Sequence, residues 1–87
     1  MNGKNNITLN IRFFAGLREK TGKESLLVGM PADACAEELT ALVRNMHPEM
    51  SILLSNSRMA RNSEFIDSNV RLHDGDEIAF IPPVSGG

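Results

Sequence analysis

Hydrophobic and polar residues alternate near the start of the chain, over residues 7–14. The odd-numbered positions are all apolar: Ile7, Leu9, Ile11 and Phe13. A period of two predicts a strand with one buried face, because successive side chains of a strand point to opposite sides. Phe14 breaks the pattern, since it places an aromatic ring on the face that otherwise carries polar residues.

A second strand is predicted shortly after the first. Residues 15–23 indicate a short helical turn that breaks at residues 21–22, and residues 24–28 indicate a strand that returns beside the first as a hairpin. A glycine, a methionine and a proline follow at 29–31 and are expected to end this strand.

The apolar spacing changes to that of a helix over residues 34–46. Apolar side chains recur there every three or four positions: Cys35, Leu39, Leu42, Val43 and Met46. This spacing predicts an amphipathic helix with one buried side. Asp33 is the expected N-cap, and Pro48 is expected to stop the helix. Glu37 and Glu38 suit the positive end of the helix dipole.

In the second half of the chain, the segments whose residue pattern predicts a helix or strand are shorter. The apolar residues 52–54 are expected to be buried, and residues 58–61 and 69–72 are predicted to be extended. An Asp-Gly pair at 74–75 indicates a tight turn, and residues 76–81 form the last predicted strand.

The predicted order is β-β-α-β-(β)-β, with residues 69–72 as the bracketed strand. Strands on both sides of one helix predict the α+β class, with a mixed sheet packed on one main helix. We assign residues 1–6 to a disordered N-terminal extension, 7–81 to the domain and 82–87 to an extended tail.

Composition narrows the range of partners. The chain has 87 residues, 41% of them hydrophobic, which is enough for one small core. The net charge is −2 and the nine Lys and Arg are scattered, which argues against nucleic acid and membrane surfaces as partners. Cys35 is the one cysteine, so no internal disulfide can form. Without an apolar leader or membrane span, cytoplasm is the expected location.

No internal group of residues predicts catalysis or metal binding. Cys35 is expected to be a small core residue and not a nucleophile, and His47 and His73 are expected at a helix end or on the surface. Residues 16–25 lack the glycine and hydroxyl spacing of a phosphate-binding loop. The acids at 74–76 lack the further ligands of a calcium loop.

The tail is the remaining candidate for function. Pro82 and Pro83 cannot continue a central strand, and they favour an extended chain. The six residues 82–87 could reach about 20 Å. Gly86 and Gly87 could enter a slot too narrow for other residues, with the α-carboxylate as the only reactive group. The alternative is a frayed end.

Two segments together resemble a known family. FFAGLRE at 13–19 and LHDGDEIAFIPPVSGG at 72–87 are similar to the MoaD/ThiS family of ubiquitin-like sulfur carriers, and within it to the small subunits of molybdopterin synthase. Asn62 matches a recurrent asparagine of that family. The resemblance runs over residues 7–87, leaves the first six residues outside, and implies a ubiquitin-like β-grasp fold.

The resemblance also implies a reaction carried out on partners. A ubiquitin-activating-type adenylyltransferase, consuming ATP, would adenylate Gly87, and a sulfur donor would convert it to a thiocarboxylate. The tail would insert into the synthase large subunit and give sulfur to a pterin precursor, precursor Z. The inserted residues would be Pro82, Pro83, Val84, Ser85 and Gly86. The chain itself would bind no cofactor or metal, and the catalytic groups would lie on its partners.

Phe14 and Ile81 are the predicted partner interface. Both are out of phase with the buried face of their strands, and neighbouring strands would place them together beside the base of the tail. The alternative is a second small cluster covered by loops. Two further functions stay open: a carrier for thiamin, cysteine or transfer RNA thiolation, and a ubiquitin-like modifier joined to lysines.

Overall fold

The computed structural model describes residues 6–82, and its elements follow the predicted order with differences at several boundaries. The strands are β1 (Asn6–Phe13), β2 (Ser25–Pro31), β3 (Arg58–Arg61), β4 (Glu64–Ile66) and β5 (Glu77–Ile81). The helices are α1 (Ala15–Thr21), α2 (Ala36–Met46) and α3 (Ser51–Ser55), with a 3₁₀ turn at Pro48–Met50 before α3. Within this part of the chain, no helix is long and apolar enough to cross a membrane.

The five strands form one mixed sheet in the order β2-β1-β5-β3-β4. β1 and β5 are parallel, and the other neighbouring pairs are antiparallel. The hairpin of β1 and β2 is confirmed, as is the mixed sheet of the predicted α+β class. The register also brings the first and last strands of the domain together, with Phe13 opposite Phe80.

The core lies between one face of the sheet and α2. The alternating residues of β1 and β5 supply the sheet side, and Ala36, Leu39 and Val43 supply the helix side. Ile11 and Ile78 lie opposite each other in the register and are both fully buried. The residues between these buried ones in β1 and β5 therefore point to the other face of the sheet, away from α2.

The second strand is longer than predicted. β2 continues through Gly29 and Met30 to Pro31, which lies opposite Asn6. β2 is an edge strand, so the missing N–H of a proline at its end removes no hydrogen bond from the sheet interior. β1 correspondingly begins at Asn6, inside the segment assigned to the N-terminal extension, and residues 1–5 lie outside the described residues.

The predicted N-cap at Asp33 is wrong. Helix α2 begins at Ala36 with Cys35 as its N-cap, and the Glu38 side chain accepts a hydrogen bond from the Cys35 N–H at 2.9 Å. The backbone before the helix is held extended, because Cys35 forms a β-bridge with Arg71. Cys35 is half-buried at the helix end and does not belong to the buried helical face, so that part of its prediction was also wrong.

Two predicted core residues are exposed. Met46, in the last turn of α2, is 44% exposed, and Ile52, in α3, is 77% exposed. His47 takes the place expected for Met46: it ends α2, is half-buried, and packs edge-on against Phe13 with ring centroids 6.5 Å apart. The short helix α3 buries Leu54 instead of Ile52.

The bracketed strand was placed at the wrong residues. Residues 69–72 make only the isolated bridge to Cys35, whereas the fourth strand is β4, which pairs with β3. Asn62 and Ser63 form the turn between β3 and β4 with φ of 50° and 77°. A two-residue turn with both φ positive favours a β-hairpin, although glycine is the more usual residue there.

Candidate functional site

The last strand, β5, ends at the edge of the candidate functional site. β5 ends at Ile81, and Pro82 is half-buried immediately after it. The predicted tail residues Pro83, Val84, Ser85, Gly86 and Gly87 lie outside the described residues. The site is therefore built from the surface at which the tail begins.

A groove lies on the sheet face opposite α2 and contains both predicted interface residues. It encloses about 400 Å³. Eight residues line it: Arg12, Phe14, Ala60, Ser63, Phe65, Glu77, Ala79 and Ile81. The strand alternation explains why Phe14 is among them, because Phe13 points into the core and the next residue must point away.

The register of the sheet explains the shape of this groove. Ala79 lies opposite Ala60, and Ala60 lies opposite Phe65, so these three side chains occupy one row on the same face. The two alanines form a low floor, and Phe14 and Phe65 rise on either side of it. Phe14 is 41% exposed and Phe65 is 54% exposed. Loops of residues 6–82 therefore do not cover the groove.

An arginine side chain lies against each of the two aromatic rings, Phe14 and Phe65. The Arg12 guanidinium carbon is 5.8 Å from the Phe14 ring centroid, and the Arg58 guanidinium carbon is 3.8 Å from the Phe65 ring centroid. Arg12 also donates a hydrogen bond to Glu77 at 2.8 Å. Such exposed ion pairs contribute about 0–1 kcal/mol, so this pair orients side chains more than it stabilises the fold.

Asn62 connects the turn after β3 to the start of β5. Its side-chain oxygen accepts a hydrogen bond from the Glu77 N–H at 2.9 Å, and its backbone N–H donates to the Glu77 carbonyl at 2.8 Å. Its amide nitrogen donates to Asp76 at 3.2 Å. Asp76 is only 8% exposed and also accepts from the His73 N–H at 2.8 Å. This network places the β3–β4 hairpin, and with it Phe65, against β5.

The other titratable candidates lie apart from the groove and from one another. Cys35 is the N-cap of α2 and His47 is its C-cap, so they are about 18 Å apart at 1.5 Å per helical residue. His73 precedes the turn that leads into β5, and its side chain is 69% exposed. Within the described residues, no three histidine, cysteine or carboxylate side chains are placed to hold a metal ion.

Several residues of the groove were not predicted from the sequence. Phe65, Ala60 and Ala79 become neighbours only through the pairing of β3, β4 and β5. The sequence offered only one aromatic residue in the segment Glu64–Ile66, which is too short to show a periodic pattern. Arg12 and Glu77 could have been suggested only by placing the first and last strands side by side.

Comparisons with known proteins agree with this architecture. The model of the ThiS family matches residues 11–87. A molybdopterin synthase sulfur carrier subunit of Dictyostelium discoideum is 38% identical over 80 residues, which cover 88% of this chain and 93% of that protein.

Two solved structures are similar along nearly their whole length. SAMP1, a small archaeal modifier protein of Haloferax volcanii, is 27% identical with a TM-score of 0.82, covering 92% of this chain and 99% of that one. A chain in the complex of subunits 1 and 2 of molybdopterin-converting factor from Helicobacter pylori is 29% identical with a TM-score of 0.69, covering 93% of this chain and 100% of that one. These likenesses confirm the predicted ubiquitin-like β-grasp fold.

Proposed function

The chain belongs to the ThiS family, and we propose that it is the sulfur carrier subunit of a molybdopterin synthase. The family match and the similarity to the Dictyostelium discoideum sulfur carrier subunit support this function. The observation that carries it is the exposed aromatic groove at the base of the Pro-Pro-Val-Ser-Gly-Gly segment.

The reaction would begin with activation of Gly87. A carboxylate is a poor electrophile because negative charge is delocalised over its two oxygens. A ubiquitin-activating-type partner would join AMP from ATP to the Gly87 carboxylate and release pyrophosphate. The resulting acyl adenylate has a good leaving group, so a sulfur nucleophile can displace AMP and leave a thiocarboxylate.

The sulfur would then pass to a pterin precursor in the large subunit. Two such transfers to precursor Z would build the dithiolene of molybdopterin. In each, water would cleave the bond between the Gly87 carbonyl carbon and the transferred sulfur, which returns Gly87 to its carboxylate form. The small residues of the tail suit a narrow channel, and the prolines suit a straight approach. The chain would supply the reagent and the docking surface, while its partners would supply the catalytic groups.

The groove is the part of the chain that would hold the large subunit during transfer. Phe14 and Ile81 are at the start of the tail, so a partner that packs on them also receives residues 82–87. The Helicobacter pylori structure is a complex of subunits 1 and 2, which supports a large subunit as the partner. Exposed aromatic side chains over a small apolar floor are typical of a protein–protein contact.

Mass spectrometry tests the first half of the proposal. After incubation with the cognate activating enzyme, ATP and a sulfur source, the mass should rise by the exchange of one oxygen for one sulfur, located at Gly87. A variant that lacks Gly87 should keep its fold and show no exchange. An unmodified carboxylate under conditions that convert a known carrier would contradict the proposal.

A ubiquitin-like modifier is the second candidate, because SAMP1 is similar over nearly its whole length. The chemistry is shared as far as the adenylate, and a lysine amine would then attack in place of sulfur. Conjugates of higher mass in cells, lost when Gly87 is removed, would favour this function. A carrier for another thiolation pathway is distinguished by which large subunit or synthase co-purifies with the chain.

A further inference from the structure

Arg58 has an unusual position on the groove side of the sheet. It lies opposite Ile81 in the pairing of β3 with β5, so its backbone is beside the last residue before the tail. Its guanidinium carbon is 3.8 Å from the centre of the Phe65 ring. A guanidinium stacked on an aromatic face keeps its N–H donors in its own plane, above the ring, where they can still bind an acceptor from outside.

Arg12, on the groove face, and Arg61, on the opposite face of the sheet, both have partners within the chain. Arg12 is paired with Glu77 at 2.8 Å. Arg61 donates a hydrogen bond to the Arg71 carbonyl at 2.7 Å and lies 3.9 Å from Asp76. Within residues 6–82, Arg58 makes neither an ion pair nor a side-chain hydrogen bond. Of the two arginines that lie on the aromatic walls of the groove, Arg58 is therefore the one without an ion-pair partner among residues 6–82.

Arg58 lines one surface groove and lies close to another. Phe65 lines the aromatic groove, and Arg58 lines a second, more polar groove of about 340 Å³ together with Arg44 and Asp67. The second groove includes Ala36 and Thr40 of α2, so it lies on the helix side of the sheet, opposite the aromatic groove. Because the Arg58 guanidinium carbon is 3.8 Å from the centre of the Phe65 ring, a partner that packs against Phe65 comes close to this cation.

We propose that Arg58 binds a carboxylate of the synthase large subunit and helps to determine which large subunit this carrier accepts. This inference rests on the proposed function. Bringing a partner over Arg58 removes water from the guanidinium, and a buried cation without an acceptor is strongly unfavourable. A carboxylate is the acceptor that matches the fork of a guanidinium with two parallel hydrogen bonds. Large subunits with an apolar or basic residue at that position would be rejected.

Affinity for the purified cognate large subunit tests this role, measured by calorimetry at low and at high salt. We expect Arg58→Leu to weaken Kd about tenfold and Arg58→Glu to weaken it further, because each leaves the partner's carboxylate unpaired. Arg58→Lys keeps the charge but loses the stacked fork, so its affinity should lie between those of the wild type and Arg58→Leu. The loss in Arg58→Glu should shrink at high salt.

Arg71→Glu is the matched control, since it makes the same change of charge at an exposed arginine whose backbone pairs with Cys35 at the start of α2. It should bind within about twofold of the wild type, because the groove is on the other face of the sheet. Circular dichroism and thermal unfolding of each variant establish that it is folded.

The outcomes separate this inference from the proposed function. A wild-type chain that does not bind the large subunit would count against the proposed function. Normal binding by Arg58→Leu would overturn the role of Arg58 and leave the proposed function intact. Equal losses in Arg58→Glu and Arg71→Glu would also overturn it, because the effect would then be one of total charge.

Discussion

Replacing Asn62 with alanine removes the side chain that joins the β3–β4 turn to β5. The variant loses the hydrogen bond from the Glu77 N–H, 2.9 Å long, and the bond to the Asp76 carboxylate, 3.2 Å long. It also places alanine at φ 50°, a backbone conformation that asparagine tolerates better. We expect the hairpin, which carries the Phe65 wall of the groove, to be held less firmly.

The size of the effect follows from these three losses. A neutral hydrogen bond contributes about 1 kcal/mol and a bond to a charged group about 1.5–3 kcal/mol. A left-handed conformation costs alanine about 1 kcal/mol. Asn62 is exposed, so water can replace part of what is lost. The net decrease in the free energy of unfolding should be about 2–3 kcal/mol, a large share of the 5–15 kcal/mol typical of a domain.

Urea unfolding followed by far-ultraviolet circular dichroism measures this decrease, since the chain has no tryptophan or tyrosine for fluorescence. Asn62→Gly is the matched control: it loses the same two hydrogen bonds but accepts the positive φ, so it should be about 1 kcal/mol more stable than Asn62→Ala. A decrease below about 0.5 kcal/mol in Asn62→Ala would refute the role given to the network.

Three further predictions concern separate parts of the molecule. Phe14→Ala should weaken large-subunit binding at least tenfold with little loss of stability. Ile52→Ala, at an exposed residue outside the groove, should bind normally. Equal affinities of the Phe14→Ala and Ile52→Ala variants in calorimetry would contradict this prediction. Gly75→Ala should lower the free energy of unfolding by about 1–2 kcal/mol because φ is 84° there, and unchanged urea midpoints would refute it. The pKa of Glu49 should lie below its ordinary value of 4.5, because its backbone N–H and then His47 hydrogen-bond to the carboxylate. The ionised Glu49 carboxylate should therefore stabilise the fold above its unfolded pKa, and this effect should be lost as pH falls through its lower folded pKa. An ordinary pKa for Glu49 in an NMR titration would contradict these hydrogen bonds.

The elements that sequence patterns predicted well are those with a long, regular period. The alternation of residues 7–14 and the helical spacing after residue 35 depend only on local geometry, so both gave the buried face correctly at most positions. Phe14 was predicted on the groove face for the same reason, since one residue out of phase with a strand must point to the other side.

The missed features depend on tertiary contacts. Three residues of β4 carry no period, and their strand forms because β3 supplies a partner. Gly29 and Pro31 are tolerated in β2 because an edge strand leaves one side of its backbone free of the sheet. The N-cap of α2 is Cys35 and not Asp33, because the bridge to Arg71 holds the chain at Cys35 extended. Residue spacing alone could not reveal any of these pairings.

The candidate site was predicted only in part for a similar reason. The tail was visible as a sequence of prolines and glycines, and Phe14 and Ile81 as residues out of phase. Phe65 and Arg58 join them through the register of β3 with β4 and β5, which brings distant residues onto one face. The uncompensated charge of Arg58 can be recognised only when the partners of the other arginines are known.

Reconstitution of the sulfur transfer is the most direct test of the proposed sulfur carrier function. Chain carrying a thiocarboxylate at Gly87 would be mixed with the cognate large subunit and precursor Z, and both the pterin product and the mass of the chain would be followed over time. Molybdopterin should form while the thiocarboxylate returns to carboxylate, with two thiocarboxylate chains used for each dithiolene. A thiocarboxylate that persists in the presence of an active large subunit, with no molybdopterin formed, would contradict it.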